Sequence, residues 1–122
     1  MSESVEYRVC RVEDVPPGEK RTYTVKNIPI VLIHSKAGAF YAIYSTCPHQ
    51  HGNLGLGALG GLTEASQPGD EFRYVREGEI LRCPWHGFSF DVTTGTCLTE
   101  PHKLRVRTYD VHVHDQQVYL EL

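Results

Sequence analysis

The segment Cys83-Pro84-Trp85-His86-Gly87-Phe88-Ser89-Phe90-Asp91 places a thiol and an imidazole close together in one short loop. An upstream segment, Cys47-Pro48-His49, repeats this pairing of one cysteine with one histidine. Both side chains are ligands for transition metals. The proline after each cysteine stiffens its loop, and Gly52 and Gly87, just past the histidines, let the backbone approach a metal group closely. The sequence therefore predicts one metal site with four protein ligands, which are Cys47, His49, Cys83 and His86.

Tetrahedral zinc is an alternative occupant of such a site, because two cysteines and two histidines also suit a structural zinc ion. Zinc modules of this composition usually place both cysteines in one loop and both histidines in another. Here each loop supplies one of each, and the surrounding strands predict a hydrophobic core that does not depend on a metal. The spacing thus favours another metal group over structural zinc.

Short β-strand patterns lie on both sides of the two loops. The predicted strands are Val5–Val9, Arg21–Val25, Ile30–Ile33, Ala39–Ile43, Phe72–Arg76, Ile80–Arg82, Phe88–Asp91, Tyr109–Val113 and Val118–Leu122. We expect Glu77-Gly78 to turn the fifth of these back into the sixth as a hairpin. No segment shows a sustained helical period, so the chain is predicted to be all-β, an antiparallel β-sandwich or partly open barrel with an inserted loop-rich unit.

Composition excludes several classes of function. The 122 residues fit one domain, and twelve basic against fifteen acidic residues give a net charge of -3, which disfavours nucleic acid as a partner. The N-terminus lacks a secretory pattern, and the apolar stretches are shorter than the ~20 residues of a bilayer-spanning helix. We therefore expect no membrane partner and a cytoplasmic location. In that compartment four cysteines more often indicate metal binding or thiols than disulfides, and Cys10 and Cys97 are predicted to be packing residues.

The two loops, with Thr94-Gly95 after the second, resemble the Rieske iron–sulfur motif. The strand Ala39–Ile43, Pro101 and the closing Val118-Tyr119-Leu120 extend the resemblance over nearly the whole chain. It implies a Rieske-type fold and one 2Fe-2S cluster, with one iron on the two cysteines and the other on the two histidines. It also implies an electron-transfer protein rather than an enzyme. On this basis 1–122 is one Rieske domain, with 1–44 and 92–122 as base, 45–91 as cluster-binding subdomain, and an insertion at about 55–80.

The second loop predicts a low reduction potential. High-potential members of the family resemble one another in a disulfide between the loops and in hydroxyl groups that donate to the cluster sulfurs. This chain has Trp85 where the second-loop cysteine would stand, and Phe88 and Phe90 at the hydroxyl positions. Without those donors the reduced state is less stabilised, so we expect a potential of roughly -150 mV.

Two features depart from the family pattern. His51 stands where a small residue is usual, and we interpret it as a rim residue rather than a ligand. The 33 residues between His49 and Cys83 exceed the common span, and we expect the glycines of the insertion to fold over the cluster, with Leu54 and Leu56 excluding water. The acidic excess of the insertion is compatible with steering of a basic partner, but we favour the interpretation as a solvated hairpin face.

The family's small stand-alone members imply a role between two proteins, a flavin-containing reductase as electron donor and an oxygenase as acceptor. We expect both to dock where the histidines reach the surface, on an apolar ring of Pro48, Leu54, Trp85 and Pro101. Two alternatives use the same domain, namely a redox-sensing or regulatory module and the small subunit of a reductase complex. The sequence does not indicate how many copies of the chain associate.

Overall fold

The fold is built almost wholly from antiparallel β-strands. A computed structural model describes residues 5–46, 53–64, 73–83, 88–98 and 104–122. The strands of these ranges are β1 (Glu6–Arg11), β2 (Lys20–Val25), β3 (Ile28–His34), β4 (Phe40–Tyr44), β5 (Ala58–Glu64), β6 (Arg73–Arg82), β7 (Ser89–Asp91), β8 (Thr108–His114) and β9 (Gln117–Glu121). Two 3-10 turns, Val12–Asp14 and Leu54–Leu56, are the helical pieces among the described residues. The all-β prediction is confirmed.

The strands form two sheets of unequal size. The larger has the order β1-β9-β8-β4-β3-β2, and the smaller has the order β5-β6-β7. The two edges of the larger sheet, β1 and β2, contact each other, so this sheet curls into a nearly closed barrel. The smaller sheet joins it where β6 contacts β3.

Strand β3 is buried on both faces, which explains its uninterrupted apolar run. Ile30 and Leu32 point into the barrel, where they pack with Val118 and Leu120 of β9. Residues alternate across a strand, so Val31 and Ile33 point the other way and pack under the smaller sheet. The sheet containing β3 and β4 therefore separates two hydrophobic cores.

Glu77-Gly78 does not turn the chain, contrary to the hairpin expected there. Residues on both sides of it belong to the ten-residue strand β6, which pairs with β5 at either end and is interrupted opposite Gly60 and Leu62. Gly78 has a φ of +84°, and a Cβ on it would lie 2.8 Å from the Ser35 Cα. This backbone conformation and close approach favour glycine, so the residue bends the strand against the barrel instead of ending it.

Strand β5 has no counterpart among the predicted strands. Its sequence, Ala-Leu-Gly-Gly-Leu-Thr-Glu, contains two glycines that interrupt the alternation of side chains. Residues 58–64 of the insertion thus form a strand paired with β6 rather than a loop. Within the described residues, no helix has the length and apolar character that crossing a bilayer requires.

Candidate metal centre

Of the four predicted ligands, Cys83 lies within the described residues. It follows β6 directly, and its side chain is 1% exposed, in the core that also contains Leu54 and Phe90. Its backbone N–H donates a hydrogen bond of 2.7 Å to the carbonyl of Phe88. This bond closes the second loop at its base, so the segment bearing His86 leaves and re-enters the fold at one fixed point.

The first loop is closed in the same way. Thr46 and Asn53 form an antiparallel bridge, and the Leu54 N–H donates to the Ser45 carbonyl at 2.7 Å. The Asn53 side chain then accepts a hydrogen bond from the Gly55 N–H at 2.9 Å and caps the following 3-10 turn. The chain is therefore fixed immediately before and after the segment that contains Cys47 and His49.

The two loop bases lie against each other. Ala58 pairs with Arg82, the residue before Cys83. A Cβ built on Gly57 would lie 2.1 Å from the Arg82 carbonyl oxygen, a distance that side chains do not reach. Glycine at 57 thus allows the exit of the first loop to pack directly on the entry of the second, at the residue before Cys83.

The other predicted ligands, Cys47, His49 and His86, lie outside the described residues. The same holds for the neighbouring positions His51, Pro48, Trp85 and Pro101. Among the residues that are described, no three histidine, cysteine, aspartate or glutamate side chains are grouped to hold a metal ion. The four-ligand set therefore stays a prediction.

Leu54 and Leu56 differ from their expected roles. Leu54 is fully buried beside Cys83, which excludes it from an exposed docking ring. Leu56 is 75% exposed, so it does not exclude water from the site. In a 3-10 turn, side chains two positions apart point to different sides, and here one points inward and the other outward.

A charged network that the sequence did not reveal joins the smaller sheet's strands. The Arg76 guanidinium donates to Asp91 Oδ2 at 2.8 Å and to Glu79 Oε1 at 2.9 Å. Burial alone would raise the pKa of Asp91, but hydrogen bonds from Thr93 and Arg76 outweigh burial and hold that pKa below its usual range. Arg76 has a φ of +57°, rare for this residue type. Sequence reasoning treated residues 76 and 79 as parts of a solvated hairpin, and no local pattern connects them to Asp91.

Cys10 and Cys97 are the packing residues that the sequence predicted. Cys10 packs inside the barrel, and Cys97 packs in the same core as Cys83. Burial raises the pKa of the Cys10 thiol, although the Tyr23 hydroxyl beside it acts in the opposite direction. His112 and His114 are exposed on β8, each 3.2 Å from a carboxylate oxygen, of Glu121 and Glu6 respectively.

Comparison with known proteins identifies the domain. The model of the family described as the Rieske [2Fe-2S] domain matches residues 5–110. A curated relative, the 3-phenylpropionate/cinnamic acid dioxygenase ferredoxin subunit of Shigella boydii serotype 4 (strain Sb227), is 28% identical over 113 residues. That alignment covers 93% of this chain and 90% of the relative.

Two solved structures are also similar. The ferredoxin of carbazole 1,9a-dioxygenase from Nocardioides aromaticivorans IC177 is 25% identical with a TM-score of 0.75, covering 95% of this chain and 96% of that one. A complex of reduced oxygenase and oxidized ferredoxin in carbazole 1,9a-dioxygenase is 26% identical with a TM-score of 0.70, covering 95% and 92%. These likenesses confirm the predicted Rieske-type fold and the prediction of a ferredoxin-type electron-transfer protein rather than a catalytic subunit.

The described part of the site fits an iron–sulfur cluster. Cys83 offers a soft sulfur donor in apolar surroundings, as cysteine-bound iron requires. The bases of the two loops are hydrogen-bonded and lie against each other, beside Cys83. The chain therefore belongs to the Rieske [2Fe-2S] domain family, and its cofactor is a Rieske-type 2Fe-2S cluster.

Proposed function

We propose that this chain is a one-electron carrier whose cluster is held by Cys47, His49, Cys83 and His86, and that it works between a flavin-containing reductase and an oxygenase. The observation that supports the ligand set is the contact between the two loop bases, where Gly57 packs on the Arg82 carbonyl beside Cys83. Two segments fixed so closely can supply ligands to one cofactor. When bound, a cluster of this type supplies a one-electron couple.

The protein's own residues control how readily the electron is accepted. Two thiolates and two neutral imidazoles bring two fewer negative charges to the cofactor than four thiolates do, so reduction costs less than in a four-cysteine site. Phe90 is fully buried and Phe88 partly buried in the core around Cys83, and neither carries a hydroxyl that donates to a cluster sulfur. We therefore place the potential at the low end of the Rieske range, roughly -150 mV.

The proposed partners follow from the relatives. The curated relative is the ferredoxin subunit of a dioxygenase, and a structural relative is a complex of an oxygenase with its ferredoxin. We infer the same arrangement here, in the cytoplasm. Encounters of a carrier with its partners should be brief and bury less than about 1,200 Å², because the carrier must leave each partner quickly.

The proposed domain organisation follows the two cores. Residues 1–44 and 92–122 form the base, and residues 45–91 form the cluster-binding subdomain with the insertion at about 55–80. The barrel core lies wholly among base residues, which supports this division. Leu54, Leu81 and Phe90 belong to the second core and lie on the cluster-binding side.

The decisive experiment compares Cys83→Ser with Cys97→Ala. Each protein is purified anaerobically, its iron and acid-labile sulfide are counted, and its EPR spectrum is recorded after dithionite reduction. We expect Cys83→Ser to lose nearly all iron and the EPR signal, since a ligand is removed. Cys97→Ala changes another buried cysteine of the same core and should keep both.

Wild-type protein that contains zinc without iron, or Cys83→Ser with an unchanged EPR spectrum, would contradict the proposed site. Protein-film voltammetry then measures the potential, and a strongly positive midpoint contradicts the low-potential assignment. Stopped-flow reduction by a flavin reductase separates a carrier from a sensor, because a carrier must accept electrons within the turnover time of its system.

A further inference from the structure

Leu56 is an exposed leucine held on a fixed support. It is 75% exposed, more than Val5, Tyr44, Leu98 or Val113, the other exposed large hydrophobic residues that the structure describes. Its own N–H donates to the Asn53 carbonyl at 3.0 Å, and the Lys20 ammonium donates to the carbonyl of the preceding Gly55 at 2.6 Å. The turn is thus anchored to the barrel, and the leucine is presented in a defined position. A single exposed leucine has no meaning alone, so its surroundings decide its role.

The surroundings of Leu56 include the base of the second ligand loop. The next residue, Gly57, packs on the Arg82 carbonyl, and Arg82 immediately precedes the buried Cys83. Arg82 is exposed, and it alternates with the buried Leu81 and Cys83. Leu56 and Arg82 are therefore both exposed, and the residue after Leu56 contacts the Arg82 backbone at the base of the second loop.

Two basic residues contact the turn that bears Leu56, because Lys20 donates to the Gly55 carbonyl and the Arg82 backbone packs on Gly57. Within the described residues, neither Arg82 nor Lys20 forms an ion pair. Glu19, which precedes Lys20, is the one described carboxylate next to either residue in the sequence. Six other described carboxylates have neighbours of their own. Glu13 and Asp115 line a pocket of about 420 Å³ beside the β8–β9 turn. Glu6 and Glu121 face histidines on the outer surface, and Glu79 and Asp91 bind Arg76.

We propose that Leu56, Lys20 and Arg82 form a docking surface for a redox partner with an acidic, apolar-centred patch. The proposal rests on the proposed function and adds the sign of the partner's charge. Although the chain carries a net charge of -3, association depends on the local potential near the contact, which steers oppositely charged partners. Leu56 supplies the apolar contact at the centre, and the two cations supply the rim.

The test uses small redox complexes as probes of the local charge. Anaerobically reduced protein, freed of excess reductant, is mixed in a stopped-flow instrument with ferricyanide or with hexaammineruthenium(III). In each reaction one electron passes from the protein to the metal complex and lowers the oxidation state of its metal by one, with no proton transferred. We expect the rate with the anionic complex to fall as ionic strength rises, and the rate with the cationic complex to increase.

Two charge-reversal variants localise the effect. Arg82→Glu and Arg11→Glu change the net charge by the same amount, and Arg11 lies beside the β8–β9 turn, in the lining of the pocket with Glu13 and Asp115. We expect Arg82→Glu to slow the ferricyanide reaction roughly tenfold at low ionic strength, within the range of electrostatic steering. Arg11→Glu should change it much less. Equal effects of the two variants, or a wild-type rate with ferricyanide that rises with ionic strength, overturn the proposal.

The apolar part is tested with bis(dipicolinato)cobaltate(III), an anion with aromatic ligands. Leu56→Ser should lower its rate several-fold while leaving the ferricyanide rate unchanged, and Val113→Ser, on β8, is the control. An unchanged rate of the cobalt reaction in Leu56→Ser would show that Leu56 is not part of the docking surface. The EPR signal is recorded on the same samples, so protein without a cluster contradicts the proposed function, whereas a cluster with the wrong ionic-strength dependence contradicts only the docking surface.

Discussion

The two hydrophobic cores on either side of β3 and β4 differ in what encloses them. The barrel core is closed by strands alone, with Val118 and Leu120 of β9 opposite Ile30 and Leu32 of β3. The second core is closed on one side by the smaller sheet and by Cys83, at the base of the ligand loops. The first needs only side chains to fill it, whereas the second includes a residue that we assign to the cofactor.

The two cores therefore have different roles in the protein. Strand pairing and apolar burial are sufficient to hold the barrel, because its core contains no residue that we assign to the cofactor. The second core lies beside the contact that holds the bases of the two loops together. We therefore expect changes in the second core to affect cluster assembly, and equal changes in the barrel core to affect only stability.

The largest effect is expected from Gly57→Ala, which separates the two loop bases. The new Cβ would lie 2.1 Å from the Arg82 carbonyl oxygen, so the backbone must move apart. Iron content should fall severely while far-UV circular dichroism still reports a folded barrel. Gly55→Ala is the matched control, because its Cβ would meet the Thr22 hydroxyl at 2.3 Å, and that side chain can rotate away. Full iron content in Gly57→Ala would contradict the assigned contact.

Truncation of one buried residue in each core should have different effects on iron content. Phe90→Ala should lower the free energy of unfolding by about 3–5 kcal/mol, and Leu120→Ala by about 2–5 kcal/mol, because each leaves a cavity. Both residues are fully buried. Urea titration measures the loss of stability, and the iron-to-protein ratio is measured on the same samples. Phe90→Ala should also lose iron, whereas Leu120→Ala should retain it. Iron loss in both variants would contradict the expectation that only the second core affects cluster assembly.

A smaller effect is expected from the Asp91–Arg76 pair. Because the pKa of Asp91 lies below its usual value of 3.8 in the folded protein, the carboxylate contributes stability above that pH. The contribution is lost as pH falls through the lowered pKa of the folded state. Asp91→Asn should cost about 1–3 kcal/mol at neutral pH, since the partly buried guanidinium loses a charged partner.

The pH dependence provides the check. The free energies of unfolding of wild type and Asp91→Asn should converge below about pH 3.8. Asp110→Asn, which changes an exposed carboxylate on β8, is the control. A difference between wild type and Asp91→Asn that stays constant down to pH 2 argues against a charged pair.

The smallest effect is expected on the outer face of the barrel. The Glu121 carboxylate beside His112 raises the pKa of that imidazole above its usual value of 6.5. The interaction stabilises the fold below that value and is lost as pH rises through the higher pKa of the folded state. NMR titration of His112 should give a lower pKa in Glu121→Gln and an unchanged one in Glu13→Gln. High salt should reduce the difference, because the pair is exposed.

The sequence predicted the barrel well because its strands carry clear local signals. The run from Ile30 to Ile33 and the tail from Val118 to Leu122 correspond to β3 and β9 within two residues at each end. The smaller sheet was predicted less well. Strand β5 contains Gly60 and Gly61, and its pairing with β6 is a long-range contact that no local pattern encodes.

At the site, residue chemistry was easier to predict than exposure. The Cys-Pro-His and Cys-Pro-Trp-His spacings indicated the family that the comparisons identify. Leu54 and Leu56 are two residues apart in a glycine-rich segment, and only the geometry of the 3-10 turn decides which is buried. Likewise, the ion pair of Arg76 with Asp91 joins two strands, and the close approach of nearby Gly78 to Ser35, just after β3, is a long-range contact that no local pattern encodes.

The environment of Cys10 affects how thiol chemistry of this protein is interpreted. Its raised pKa keeps the group protonated near neutral pH, and alkylating reagents react with the thiolate. Cys97 is also buried, so neither side chain is accessible while the cores are intact. Labelling of the native protein therefore has a low background from these two positions. The rate at which modified cysteines accumulate then measures how often the folded chain opens.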